Sequence, residues 1–193
     1  MQKSSSWLDI RPQAELPKNC PFVTEQELLA ARRMRNPRRR DEWLLWRAIV
    51  REHLGRDTQI DYDASGAPVL GNRTGYIGVS HCKEAVAVMY SPKRCAIDIE
   101  SLWRNFDKIA PRFLSDAERK IEGSDHPLFA AAAWCVKEAV YKYSGIRQAE
   151  FLRDIAITEC DWQNMVITAR TPWQNKVEVS LRKHGQTLLA IIG

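Results

Sequence analysis

No apolar run in this chain approaches the roughly 20 residues that a membrane-spanning helix needs. The opening stretch MQKSSSWLDIRPQAELPKNC also lacks the apolar core of a secretory signal. These absences set an expectation of a cytoplasmic protein with no membrane partner. Cysteine is scarce: Cys20, Cys82, Cys95, Cys135 and Cys160 are odd in number and show no paired zinc-ligand spacing. They read as reduced, mostly buried small side chains, which excludes a disulfide framework and a structural zinc. With 45% hydrophobic and 27% charged residues among 193, disorder and collagen-like fibre are excluded as well.

What is present is a length sufficient for one sizeable core or two small fused ones. There is also a positive balance, 29 Lys and Arg against 24 Asp and Glu, giving a net charge of +5. That balance favours acidic partners, whether nucleic acid, a phosphorylated small molecule or an acidic protein.

The first 37 residues begin irregularly, with Pro12, Pro17 and Pro21. Thr24 and Glu27 then give a capping-box spacing ahead of Leu28 and Leu29, predicting a helix of about two turns. From Arg40 to Leu54, Trp43, Leu44, Trp46, Ile49, Val50 and Leu54 recur at helical spacing, and Gly55 supplies a stop. After a turn-rich bridge from Asp63 to Pro68, Tyr76–Ser80, Ala85–Tyr90 and Cys95–Glu100 read as a three-strand antiparallel meander. The second half repeats this order. Ser115 to Glu118 caps a short helix, Leu128 to Tyr143 forms a long one stopped at Gly145, and strands follow, including an alternating Val177, Val179, Leu181 run and Thr187 to Ile192. No residue-level repeat accompanies the repeated order. The expectation is an α+β protein of two similar halves, each a long helix on a small antiparallel sheet, with a cleft between them.

The strand Cys95-Ala-Ile-Asp-Ile-Glu100 carries two carboxylates, Asp98 and Glu100, which period-two geometry places on one face. Burying two like charges is costly unless a cation neutralises them, and two carboxylates at one point suit a hard divalent ion such as magnesium. A strand with one wet face explains the same pattern. In the long helix, Glu138 and Lys142 lie one turn apart. This spacing fits a surface pair, or, if the helix faces the acidic strand, a third carboxylate and a phosphate-side lysine. Ser80 and His81 end a strand of small residues that permits close ligand approach. The basic run Arg32 to Arg40 lacks the interleaved aromatics of a nucleic-acid patch and reads as a solvated flank or a phosphate-holding helix entry.

Together these segments resemble the 4′-phosphopantetheinyl transferase superfamily, in particular its fused, pseudo-dimeric subclass. Val79-Ser80-His81 looks like the family's Ser-His strand, and Ala96-Ile97-Asp98-Ile99-Glu100 like its Gly-Ile-Asp-Ile-Glu strand. Trp134 to Lys142 matches its Trp-x-x-Lys-Glu-Ala-x-x-Lys helix, the most specific of the three. Arg112-Phe113-Leu114-Ser115 to Glu118 and the Arg39–Arg47 helix also resemble family segments, so the likeness runs from about Arg38 to Gly145.

The resemblance implies two α/β halves, residues 1–101 and 102–193, related by a pseudo-two-fold, in a monomer that binds coenzyme A and magnesium between them. The choice between magnesium and manganese stays open, because both accept oxygen ligands in this geometry. It implies Asp98, Glu100 and Glu138 as magnesium ligands, with Glu138, Lys142 and Asp98 catalytic. Lys142 and Lys137 would contact the pyrophosphate, and His81, beside Ser80, with Arg39 or Arg47 would hold the 3′-phosphate. The acceptor would be a serine of an apo acyl or peptidyl carrier protein, and nucleic acid would not be a partner. Ala67, Ala96 and Cys82 depart from the family's lysine, glycine and second serine. Ala67 removes one expected cation, which supports an alternative reading as a coenzyme A or carrier-protein binding module without turnover. A basic nucleic-acid-binding protein is a further alternative, one that leaves the acidic strand and the Trp134 helix unexplained. Glu118 stands at a family acidic position, but Ser115 to Glu118 is also a sound capping box, and capping is the expected role.

Overall fold

A computed structural model describes residues 5–14, 16–17 and 19–193; the first four residues of the opening stretch, with Glu15 and Lys18, lie outside them. The protein is a mixed α+β fold built on antiparallel sheets. Helix α1 (Glu25–Arg32) carries the expected capping box between Thr24 and Glu27. Helix α2 (Pro37–Leu54) starts three residues before the expected Arg40, because the Asn36 side chain accepts from the Arg39 amide and Pro37 occupies the first turn. It stops at Gly55.

Strands β1 (Trp7–Pro12), β5 (Ala85–Ser91) and β4 (Tyr76–His81) form a three-stranded sheet in that order. The sequence reading missed β1. It is an edge strand, which tolerates the terminal Pro12 because no further ladder bond is needed there. Short strands β2 (Ile60–Tyr62) and β3 (Pro68–Leu70) make a separate hairpin. The third strand of the expected meander, β6 (Ala96–Ser101), does not complete the first sheet. It pairs antiparallel with β10 (Thr187–Ile192), at the edge of a five-stranded sheet completed by β9 (Gln174–His184), β8 (Val166–Thr171) and β7 (Ala156–Asp161). The physical reason is a packing seam. β6 still runs beside β4, but with side-chain contacts in place of ladder bonds, and a Cβ on Gly78 would lie 3.2 Å from the Ile97 amide nitrogen.

Apolar residues fill three layers. Leu45, Trp46, Ile49 and Val50 of α2 meet Val86, Val88 and Tyr90. The other face of β5, through Ala85, Ala87 and Met89, packs on Ile97, Ile99 and Leu189 at the seam. Helix α3 (Phe129–Ser144) covers the five-stranded sheet through Ala132, Cys135, Val136 and Ala139. It ends at Gly145, whose φ of 70° is the left-handed conformation that a helix stop favours. A one-turn helix, α4 (Phe151–Asp154), leads into β7. No helix is long and apolar enough to cross a membrane among the described residues.

Candidate active site

The seam brings the chemistry together. Gly78 lets β4 approach β6, which puts Ser80 against the buried Asp98, and α3 supplies Lys142 from above. Lys142 Nζ lies 2.6 Å from Asp98 Oδ1 and also donates to Ser80 Oγ (3.0 Å) and the Ile97 carbonyl (3.2 Å). Ser80 Oγ donates to Asp98 Oδ1 at 2.8 Å and accepts from the Ile99 amide. Both contacts to Asp98, from Lys142 and from Ser80, end on Oδ1. The second oxygen, Asp98 Oδ2, is buried without a hydrogen-bond partner, an expensive state for a carboxylate unless a cation joins it.

Glu100, two residues along the same face, accepts from Trp134 Nε1 (2.7 Å) and Arg104 Nη1 (2.9 Å), both on Oε1. Burial, and then the charge of Asp98, raise the Glu100 carboxyl above its ordinary range, against the pull of Arg104. Burial, followed by Asp98, pushes Glu138 up to about 7, with Lys142 opposing and Glu100 adding. The three carboxylates therefore feel one another, as like charges sharing a site do. Burial lowers the Lys142 ammonium pKa, but the charge and hydrogen bond of Asp98 together with the charge of Glu138 outweigh it, and the net shift is upward.

Among the described residues, no three Asp, Glu, His or Cys side chains already form a metal centre. The donor set nevertheless fits a hard divalent ion. It offers an orphaned Asp98 oxygen, a Glu138 whose charged form lacks sufficient compensation, and a Glu100 engaged through only one oxygen.

Two cavities flank this cluster. One, of about 510 Å³, lies between β3, β4 and the end of α3, with apolar walls at Val69, Ile77 and Ile97 and with Arg94, Lys142 and Arg147 among its lining. Gly66-Ala67-Pro68, where the expected lysine is missing, also lines it. The other, of about 620 Å³, is bounded by Arg39, Glu42, His81, Glu100, Trp103 and Arg104.

The sequence-predicted residues separate into those the fold gathers and those it does not. Asp98, Lys142 and Ser80 meet at the seam in direct contact, Glu100 lies two residues along the strand from Asp98, and Glu138 is near enough to feel the charges of both carboxylates and of Lys142. Arg39 and His81 meet at the second cavity, Arg39 Nη1 lying 2.9 Å from His81 Nε2, and both lean on the buried Glu42. Burial depresses the His81 pKa; Glu42 opposes that shift, and Arg39 and Lys142 add to it.

Arg47 does not join them. It is buried with its guanidinium over the rings of Trp43 (4.0 Å) and Trp46 (4.4 Å), and its Nε is 3.5 Å from Glu27. Of the two arginines offered as partners of His81, the structure brings only Arg39 to it. Lys137 also departs from expectation. Its side chain is sealed from solvent, 2.6 Å from Glu118 Oε1, and donates to the Phe151 carbonyl, so it cannot reach a pyrophosphate in the cleft. The same helix points Lys137 and Lys142 into different surroundings because five residues is well off a whole number of turns. Glu118 keeps the capping contacts with Ser115 and uses its other oxygen for Lys137 and the Ile157 amide. The end of the basic run that enters α2 is paired, Arg38 and Arg39 with Glu42 and Arg40 with Asp41.

Sequence reasoning missed the roles of Arg104, Glu42 and the indole of Trp134. Arg104 was findable as a basic residue one strand-end turn beyond Glu100, at the i,i+4 interval.

The family described as the 4′-phosphopantetheinyl transferase superfamily matches residues 94–191, a little over half of the 193-residue chain. The chain belongs to that superfamily. The matched segment contains Asp98, Glu100, Glu138 and Lys142, whereas Arg39, Ser80 and His81 lie before it. No individual curated protein matches the chain. The superfamily is one of transferases that use coenzyme A and act on carrier proteins, generally with a divalent metal.

Proposed function

We propose that this chain transfers the phosphopantetheine arm of coenzyme A to a serine of an apo acyl or peptidyl carrier protein, with magnesium bound at Asp98, Glu100 and Glu138. The observation that carries the reading is the Lys142–Asp98 pair beside an unsatisfied carboxylate oxygen, with Lys142 lining one cavity and the neighbouring Glu100 lining another, in a chain of this family.

The transferred group is electrophilic at the β-phosphorus. The serine oxygen forms a bond to that phosphorus, the phosphorus–oxygen bond to the bridging oxygen breaks, and 3′,5′-adenosine bisphosphate leaves. Lys142 stabilises the charge that gathers on the bridging oxygen, where a fixed cation in a partly buried site acts more strongly than in water. Glu138 takes the serine proton. The value of about 7 belongs to the carboxyl with no cation beside it, and a divalent cation held there would lower it and keep Glu138 in the ionised form that accepts a proton. A divalent ion held by Asp98, Glu100 and Glu138 would supply positive charge to offset that of the phosphates. Asp98 holds Lys142 and Ser80 in register through Oδ1. His81 and Arg39 line the second cavity as phosphate contacts, the assignment that the family resemblance favours.

One chain supplies every residue of this arrangement, consistent with a monomer whose two halves, 1–101 and 102–193, close the cleft; β6 crosses between them by pairing with β10. The test is mass spectrometry of an apo carrier protein incubated with the chain, coenzyme A and magnesium, beside a Glu138→Ala control. The reading expects a gain of one phosphopantetheine that the control lacks. Coenzyme A binding with no gain across several carriers would replace it with a binding module.

A further inference from the structure

We propose that Trp134 is the positioning residue that aims Glu100 at the divalent ion, a role that rests on the carboxylate reading above. Its indole N–H donates to Glu100 Oε1 at 2.7 Å. Arg104 donates to the same oxygen at 2.9 Å, so both donors occupy Oε1 and Oε2 is the oxygen left for a metal. A carboxylate tied at one oxygen loses the rotation that would otherwise spread its second oxygen over many directions, and the ion then meets a ligand already set.

The two donors differ in how firmly they are held. The Trp134 ring packs edge-on against Phe113, with centroids 5.1 Å apart, and against Phe151 at 5.5 Å, and the Arg104 guanidinium covers it at 4.8 Å. The indole cannot turn without unpacking that corner. Arg104 has a side chain 41% exposed, and it lines the second cavity next to Trp103. It is therefore a cation that can leave Glu100 when a doubly charged ion arrives, whereas Trp134 stays. Packing alone would be served by any large aromatic ring. The hydrogen bond needs the indole nitrogen.

The experiment is a manganese titration of the intact chain, without coenzyme A, followed by electron paramagnetic resonance of free Mn2+. Trp134→Phe keeps an aromatic ring and removes the donor. The expected result is affinity roughly tenfold weaker, within the range typical for loss of such a supporting contact, with an unchanged melting temperature and with the catalytic rate restored at saturating metal. Arg104→Gln is expected to weaken affinity less. Unaltered affinity in a folded Trp134→Phe chain would overturn the proposal. A chain that binds no Mn2+ before substitution would overturn the carboxylate reading as well, which separates the two failures. Should Trp134→Phe fold poorly, the assigned Trp134 indole proton resonance of the unaltered protein provides the second measurement. It is expected to shift on Mg2+ titration, and a static resonance would overturn the proposal.

Discussion

Helix α3 presents two lysine–carboxylate pairs of the same length, and they have opposite surroundings. Lys137 and Glu118, 2.6 Å apart, are sealed and saturated: Glu118 also accepts from Ser115 and Ile157, and Lys137 donates to Phe151. Lys142 and Asp98, also 2.6 Å apart, stand beside an orphaned oxygen, two further carboxylates and the first of the two cavities. Distance does not distinguish structure from chemistry here; completeness does. A buried pair whose lone pairs are all spoken for fixes the fold, and one with an unmet demand awaits a ligand.

The comparison can be broken by exchanging the consequences of the two pairs. Lys137→Met leaves Glu118 buried and uncompensated, and is expected to cost about 3–5 kcal/mol of stability in denaturant unfolding, the range for breaking a buried pair. Lys142→Ala is expected to slow transfer on the order of 100-fold, comparable to removal of one oxyanion donor, while the melting temperature changes less than in Lys137→Met. Equal stability losses from the two substitutions would erase the distinction.

A third pair sharpens it from the other side. Lys176 and Glu178 are 2.7 Å apart with both side chains 62% exposed. Lys176→Ala is expected to leave the unfolding midpoint essentially unchanged, because solvent screens an exposed ion pair.

The pH dependence follows from Glu27. Burial raises its carboxyl, but the hydrogen bonds from Arg51 and the Thr24 amide together with the charges of Arg51 and Arg47 outweigh it, and the net shift is downward. A folded-state pKa below the ordinary 4.5 means that the stabilisation is complete above that value and is lost as pH falls through the depressed one. Glu27→Gln should therefore flatten the acid limb of a stability–pH curve below pH 4.5, with little change in the slope at neutrality.

Much of the site was legible in the chain because its motifs are local. Asp98 and Glu100 share a strand face by period two, and Glu138 and Lys142 share a helix face by one turn. The α+β class was legible from helix periodicity and strand alternation. What was not legible depended on contacts between distant segments. β6 looked like the third strand of a meander because it follows β5 after four residues, and only the apolar demand of the seam, met by Ile97 and Ile99 against Leu189, takes it to the other sheet. Lys137 looked like a phosphate contact because it sits in the same motif as Lys142, and its partner Glu118 lies 19 positions earlier. β1 was hidden by Pro12 at its end and by Pro17 and Pro21 after it. Arg47 was hidden by its charge, since nothing in one sequence shows that Trp43, Trp46 and Tyr62 will enclose a guanidinium.

The most direct test sets Glu138→Gln beside Glu118→Gln in one transfer assay, with the folded fraction of each measured by circular dichroism. The account predicts a folded Glu138→Gln chain that leaves an apo carrier protein unmodified, and a less stable Glu118→Gln chain whose folded fraction still adds phosphopantetheine. Transfer by Glu138→Gln at the unaltered rate would contradict it.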